Sequence, residues 1–341
     1  MKVDAHITAT GLSAVSEFAR DREKSGYDGL WSTETAHDPF LPLLPVAEHT
    51  SRIEVGTAIA VAFARNPMSM AYTAHDLQTY TRGRFLLGLG SQVKPHIERR
   101  FAMPWSRPAR RMREYVQAMR AIWAAWDTGE RLNFRGDFYS HTLMTPFFSP
   151  EPSPWGPPQV RLAAVGDQMT EVAGEVCDGL LPHPFTTERY LRERTLPTLR
   201  RGLERSGRAP ADITISLSGL VVSGRTEEEM AAATRAAREQ IAFYGSTPSY
   251  LPVLELHGWG ELGTELNRLS RSGDEDRWHR MGDLVDDQVL HTFAVVAEPD
   301  RIGPAVLARF GDMIDRFSFY APYEHDPSLW QPAVEALRNG S

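Results

Sequence analysis

A chain of 341 residues with 42% hydrophobic and 24% charged side chains can bury a large core, as one barrel-sized domain or two smaller ones. The formal net charge of −7 argues against non-specific binding to nucleic acid or membrane surfaces, which takes a basic face. The single cysteine, Cys177, excludes an internal disulfide and a cysteine-based zinc site.

The opening "MKVDAHITATG" has no apolar run of signal-peptide length, and no segment approaches a membrane span, so a cytoplasmic location is the expectation. "VDAHI" (Val3 to Ile7) alternates as a strand does, and Leu12, Val15, Phe18 and Ala19 then recur at helical spacing until Gly26. "DGLWS" is a short buried strand, "PFLPLLPVAEHT" a helix begun near prolines, and "RIEVGTAIAVA" a third strand. Met70, Ala74 and Leu77 mark the next helix, followed by "RFLLGLG" as the fourth strand. In "RRMREYVQAMRAIWAAW" the apolar residues Met112, Val116, Met119, Trp123 and Trp126 form one stripe of an amphipathic helix.

From Asp127 to Pro158 the rhythm stops. This proline- and aromatic-rich stretch is too irregular for a helix and too apolar for a disordered linker, which predicts a small hairpin and a covering loop. Alternation resumes with "VRLAAVG", a helix from Met169 to Cys177, "DGLLPHP", a helix from Tyr190 to Ser206, "DITISLSGLVVSG" and a helix from Glu227 to Phe243. After a second excursion at 245–285, the chain ends with a helix near Pro299 to Phe310, the strand "RFSFYAP" and a helix around Trp330 to Leu337. Eight strands alternating with helices predict an α/β fold of the (β/α)8 TIM-barrel type, a single domain over 1–341. Its insertions, about 129–158 and 245–285, are expected over the C-terminal face, where such barrels carry their sites. A doubly wound sheet is the runner-up, but "HITATG" lacks a phosphate loop after the first strand.

"GRFLLGLGSQVKPH" raises a separate question, because Gly88 and Gly90 match two glycines of a G-x-G-x-x-G dinucleotide fingerprint while Val93 stands at the third. In a barrel, the same glycines at a strand end read as a site wall that needs small residues.

In order along the chain, "SGYDGLWSTE", "ARNPMSMAYTAHDLQTYTRGRFLLGLGS", "RRMREYVQAMRAIW" and "LAAVGDQMTEVAGEVCDGLL" resemble the bacterial luciferase-like superfamily of flavin- and deazaflavin-dependent oxidoreductases. "GSQVKPHIERRFAMPW" and "YGSTPSYLPVLELHGWG" further resemble an actinobacterial subgroup that uses coenzyme F420, a 5-deazaflavin. The resemblance implies a homodimeric TIM barrel with the cofactor at the strand ends, F420 or alternatively FMN, and a small organic substrate. The FMN version, a monooxygenase, would draw on a separate flavin reductase. It places a non-proline cis peptide at Ala58–Ile59, behind the cofactor ring, and a phosphate anchor at Gly166, Asp167, Gln168 and Met169. The glycine and helix-start amides of that anchor suit an anion on physical grounds as well. Arg65, Ser91 and Gln92 complete the implied cofactor wall. Family members that oxidise sugar phosphates carry an Asp-His pair where Glu34 and Thr35 stand here, and an acid where Val93 stands; both departures argue against that substrate.

Several roles stay open. His37 is either a proton donor near the ring or a loop histidine bonded to backbone. Glu34 contacts the ring, orients His37, or caps the next helix. Arg65 meets a phosphate or an acid such as Glu98. His183, after the sixth strand, is a further titratable candidate at the substrate. Phe148, among Phe134, Phe138, Tyr139, Phe147 and Trp155, either covers an apolar substrate or belongs to a satellite core. His96 and Glu98 lack a third ligand, so no metal is expected, and Cys177 reads as a core filler. No G-x-S-x-G or H-E-x-x-H supports a hydrolase. Beside the two enzyme readings stands a non-catalytic flavin-binding barrel.

Overall fold

The computed structural model of the protein describes residues 1–9 and 11–340. Eight principal strands are β1 (Lys2–His6), β2 (Gly29–Ser32), β3 (Glu54–Thr57), β4 (Phe85–Gly90), β5 (Gln159–Ala164), β6 (Gly179–Pro182), β7 (Thr214–Val222) and β8 (Arg316–Tyr320). They join in the order β7-β8-β1-β2-β3-β4-β5-β6, and β6 pairs in turn with β7, so the sheet closes on itself. The registers are parallel, as in Val3 opposite Phe317 and Gly56 opposite Leu86. The fold is a (β/α)8 barrel. Every residue of β2 and β4 is buried, the mark of parallel strands covered on both faces.

The principal connecting helices are α1 (Leu12–Lys24), α2 (Leu43–His49), α3 (Pro67–Tyr80), α4 (Pro108–Thr128), α5 (Asp167–Val176), α6 (Leu196–Arg205), α7 (Glu227–Gly245) and α8 (Pro299–Phe310). Local chemistry sets their ends. The Asn66 side chain accepts the Ser69 N–H ahead of α3 while Pro67 takes the first helical position, where its missing N–H costs nothing. Thr226 caps α7 through the Glu229 N–H, with three glutamates in the first turn complementing the helix dipole. Past α4, Gly129 adopts φ 71, the left-handed stop that glycine adopts without steric cost. The α4 stripe is buried as its spacing predicted.

The chain divides into two compact units. One comprises Ala5–Leu181 and Thr198–Thr214. Its excursion begins with the expected hairpin, in which Phe134–Arg135 pairs antiparallel with Ser140–His141. The Glu114 carboxylate, near the start of α4, accepts the N–H groups of Asp137, Phe138 and Tyr139. The remainder of this excursion leads back to the barrel. Tyr72 of α3 donates to the Phe148 carbonyl at 2.5 Å, and the Trp155 ring packs against Gly83, just before β4 begins. This return segment runs along α3 toward the N-terminal end of β4, because the chain must reach that end before entering β5.

The other unit comprises Met1–Asp4, Pro182–Pro197 and the chain from Ile215 onward. Its core gathers Phe185, Leu220, Ile241, Leu254, Leu266, Met281 and Phe293. The second excursion is helical, with Leu251–Leu256, Gly260–Ser270 and Arg277–Gly282 contributing to that core. Asp4 of β1 and Arg316 of β8 form a fully buried bidentate pair at 2.5 and 2.8 Å, where each charge satisfies the other out of water. Among the described residues no helix is long and apolar enough to cross a membrane.

Candidate functional site

The two glycines of "GLGS" make room for backbone. The Thr57 hydroxyl accepts the Gly88 N–H at 3.0 Å and donates to the Gly88 carbonyl at 2.7 Å, and a Cβ on Gly88 would lie 1.7 Å from the Thr57 carbonyl oxygen. A Cβ on Gly90 would come within 2.8 Å of Ile59. Their absent side chains therefore admit the Thr57–Ile59 segment and no dinucleotide loop forms here. The peptide between Ala58 and Ile59 is cis, at the position expected. Ala58 is held by its N–H to Ser32 and by the Thr33 hydroxyl on its carbonyl, while the Ile59 carbonyl accepts the Glu34 N–H. Both residues remain half-buried.

Glu34, just past β2, is buried, and its Oε2 accepts two bonds of 2.7 Å, from the Val61 N–H and from Arg65 Nη1. Arg65 also donates to the Val61 carbonyl, reaches Asp38 at 3.4 Å, and lies over the Phe40 ring. Of the alternatives for Arg65, the acidic partner is the one realised, and the acids are Glu34 and Asp38; Glu98 instead stands 3.8 Å from Lys94. Glu34 does not cap α2, whose approach is shaped by Asp38 accepting the Phe40 and Leu41 N–H groups. Its role is to fix the Val61–Arg65 corner behind the cis peptide.

His37 is exposed on the loop between Thr35 and Asp38. The loop is tied on either side, by Arg100 donating to the Thr35 carbonyl and by the Asp38 bonds, while no hydrogen bond engages the His37 ring among the described residues. Ser91 and Gln92 follow β4. Gln92 adopts φ 58, and its side-chain oxygen accepts the Val93 N–H. Gly166 is the N-cap of α5, with no side-chain cap on the helix amides, and a Cβ there would meet nothing within 4 Å. Gly166, Asp167 and Gln168 are exposed and Met169 is half-buried.

In the second unit, His183 follows β6 directly. Its Nδ1 accepts the Phe185 N–H at 3.0 Å, its Nε2 stands 3.0 Å from the Tyr250 hydroxyl, and the two rings stack at 4.4 Å. Tyr244 of α7 meets the His183 ring edge-on, and its hydroxyl lies 2.9 Å from that of Tyr320, the last residue of β8. Burial pushes the His183 imidazole down to about 4 and the Tyr250 hydroxyl up to about 12, and raises Tyr244 and Tyr320 as well. Tyr244, Tyr250 and Tyr320 were not singled out from the sequence. The signal available was the tyrosine pair within "YGSTPSY", which periodicity alone reads as core.

The remaining candidates lie elsewhere. Phe148 is 62% exposed, its carbonyl accepts the Tyr72 hydroxyl of α3, and the still more exposed Phe147 meets its ring edge-on. His96–Arg100 is a single helical turn that buries Ile97 alone. Cys177 is fully buried, its thiol pushed up to about 12, as befits a core filler.

With this geometry in place, comparison with known proteins becomes specific. The family model described as luciferase-like monooxygenase matches residues 1–316. The chain belongs to that luciferase-like family. Rv1360, an uncharacterized protein of Mycobacterium tuberculosis, is 54% identical over 316 residues, covering 93% of this chain and 92% of that protein. An F420-dependent glucose-6-phosphate dehydrogenase of Mycolicibacterium gilvum is 27% identical, covering 86% of this chain and 80% of its own. Among solved structures, the coenzyme F420-dependent tetrahydromethanopterin reductase of Methanopyrus kandleri aligns with a TM-score of 0.77 at 16% identity, over 98% and 96% of the two chains, a likeness of fold. Relatives of this chain thus include an F420-dependent dehydrogenase, within a family described as luciferase-like monooxygenase.

Proposed function

We propose that this luciferase-like protein is an F420-dependent oxidoreductase, moving a hydride between the deazaflavin and a small organic substrate. The observation that carries the reading is the open, uncapped start of α5 at Gly166, in a chain whose relatives include F420-dependent enzymes. A glycine whose missing Cβ faces empty space, followed directly by the first turn of α5, suits a phosphate in an otherwise acidic protein. Gly166, Asp167, Gln168 and Met169 would hold that phosphate, with the Asp167 carboxylate turned away from it. Ala58, Ile59, Ser91 and Gln92 would border the ring. When bound, the coenzyme supplies hydride chemistry at a ring carbon.

The chain's own residues then have three tasks. Thr57 and the strand-end glycines fix the Ala58–Ile59 surface against which a flat ring can rest. Arg65, committed to Glu34 and Asp38, serves by locking the loop that presents His37 and not by meeting phosphate. His37, unbonded and exposed, is the group left to carry a proton, while Glu34 is occupied as an acceptor.

A second reading, an FMN-dependent monooxygenase, is favoured by the family's description. Titrating the purified protein separately with F420 and FMN, followed by absorbance, separates the two. Tighter F420 binding is expected; tight FMN binding without F420 uptake, coupled to oxygen consumption by the reduced form, overturns the proposal.

A further inference from the structure

The turn His96–Arg100, shortly after β4, is wider than an α-helical one, since the Phe101 N–H closes it on the His96 carbonyl, five residues back, at 3.0 Å. A wider turn rotates less per residue than an α-helix. Ile97 takes the buried side, and Arg100, three positions on, is carried away from that side into the open. There its guanidinium lies 4.8 Å over the Phe101 ring, and Nη2 donates to the Thr35 carbonyl at 2.5 Å. Arg99, exposed on the same turn, makes no hydrogen bond among the described residues.

The segment that carries Arg100 is fastened to the corner that Glu34 fixes. The Met103 N–H reaches back to the Ile97 carbonyl at 3.0 Å, and Trp105 meets the Phe63 ring edge-on at 5.8 Å. Arg111 of α4 donates to the Pro104 carbonyl at 2.5 Å while lying over the same Phe63 ring. Phe63 belongs to the Val61–Arg65 corner, so both sides of the His37 loop end on one framework. Asp38 reaches it through Arg65, and Thr35 through Arg100. The two grips are unequal. Asp38 also accepts the Phe40 and Leu41 N–H groups, whereas across Thr35, Ala36 and His37 the Arg100 bond is the only hydrogen bond among the described residues.

We propose that Arg100 is a positioning residue, whose guanidinium, set by the wide turn, holds the Thr35–His37 stretch in the conformation that presents the imidazole. The proposal rests on the reading of His37 as the proton carrier and deepens it by naming what keeps that ring in place. Arg100 acts through a backbone carbonyl and not at the reacting atoms. A charged donor makes the stronger kind of hydrogen bond to such a carbonyl, and losing it releases the backbone of three exposed residues.

Labelling the full-length protein with 15N-histidine, without coenzyme, places one amide probe in the loop, at His37, and leaves the other ten of eleven histidines as controls. The His37 order parameter is expected near about 0.8 in wild type and below about 0.6 in Arg100→Met. Arg100→Lys, which keeps a cationic donor, should restore most of the order, and Arg99→Met should change nothing. Residue 100 is exposed, so Arg100→Met should stay folded, which unchanged control signals verify. A wild-type value already below about 0.6, or an Arg100→Met value equal to wild type, overturns the proposal. Turnover supplies the second readout. In coenzyme-loaded enzyme, Arg100→Met should lower kcat about tenfold, the worth of one hydrogen bond from a charged donor, with F420 affinity unchanged. A loosened loop with full kcat, in an enzyme that His37→Ala impairs, overturns the positioning role. A loop that answers to Arg100 while His37→Ala keeps full kcat sinks the functional reading of His37 alone.

Discussion

Thr57 and Gly88 bond to each other twice, the one hydroxyl serving both the N–H and the C=O of the glycine, so that β3 and β4 touch where no side chain fits between them. Gly88→Ala places a methyl group 1.7 Å from a carbonyl oxygen held in the sheet, and backbone must shift. The expected loss is about 3 kcal/mol or more, since overpacking against backbone cannot relax by rotamer change. Thr57→Val keeps the shape but leaves two buried polar groups unpaired, at about 2 kcal/mol. Urea unfolding checks both; a Gly88→Ala protein as stable as wild type would show that the contact is not held as described.

The Glu34–Arg65 pair gives a graded test. Glu34→Ala removes the acceptor of the buried Val61 N–H and strands a partly exposed guanidinium. The loss should be about 2–3 kcal/mol, discounted from the buried-pair value because Arg65 is partly exposed and keeps Asp38. Glu34→Gln, which still offers an oxygen acceptor, should lose about half of that. Denaturant midpoints decide. Equal losses for the two variants would mean that charge, and not the hydrogen-bonded corner, is what matters.

These contacts also show what a sequence can disclose. Apolar periodicity reports which face of an element is buried, so the α4 stripe, the buried "FLLGLG" strand and the helix Pro299–Phe310 were legible. Periodicity does not report partners. Glu34 and Arg65 are 31 residues apart and His183 and Tyr250 67 apart, and only the folded chain brings each pair together. Trp155 against Gly83 was hidden for a related reason: aromatic composition signals burial against something without saying which end of the barrel supplies it. The cis peptide at Ala58–Ile59 came from resemblance, since nothing in "GTAIA" itself demands it.

Acid should destabilise the fold through His183. The unfolded chain takes up a proton near the ordinary imidazole value of 6.5, the folded one only near 4, so between pH 6.5 and 4 the unfolded state binds more protons. The stabilisation from keeping this ring neutral is fully present above 6.5 and is lost as pH falls toward 4, by at most about 3 kcal/mol. His183→Gln should therefore show a shallower decline of unfolding free energy across that window. Parallel declines for wild type and variant would rule out His183 as the group responsible.

Gly166→Val separates binding from folding. At φ −100 and ψ 162 a β-branched residue is comfortable, and its Cβ meets no protein atom within 4 Å. Thermal stability should change little while F420 affinity falls at least tenfold, about 1.4 kcal/mol, because the only thing the new side chain can displace is the phosphate. Unchanged affinity in the folded variant would place the anchor elsewhere.

His37→Ala tests the chemistry most directly. The loop around it is secured by neighbours, through Glu34 to Ile59, Asp38 to Phe40 and Leu41, and Arg100 to Thr35, and no bond within the described residues depends on the imidazole itself. Removing an exposed ring of this kind should cost under about 0.5 kcal/mol of stability. Turnover, by contrast, should fall roughly a hundredfold, the lower range for loss of a general acid–base group, with F420 affinity little changed. Kinetics with a small organic substrate and F420, monitored by coenzyme absorbance, reads both quantities in one experiment. A kcat within twofold of wild type would show that the proton reaches substrate from solvent, leaving His37 a surface residue of the loop. A parallel loss of coenzyme affinity would instead make it part of the binding wall.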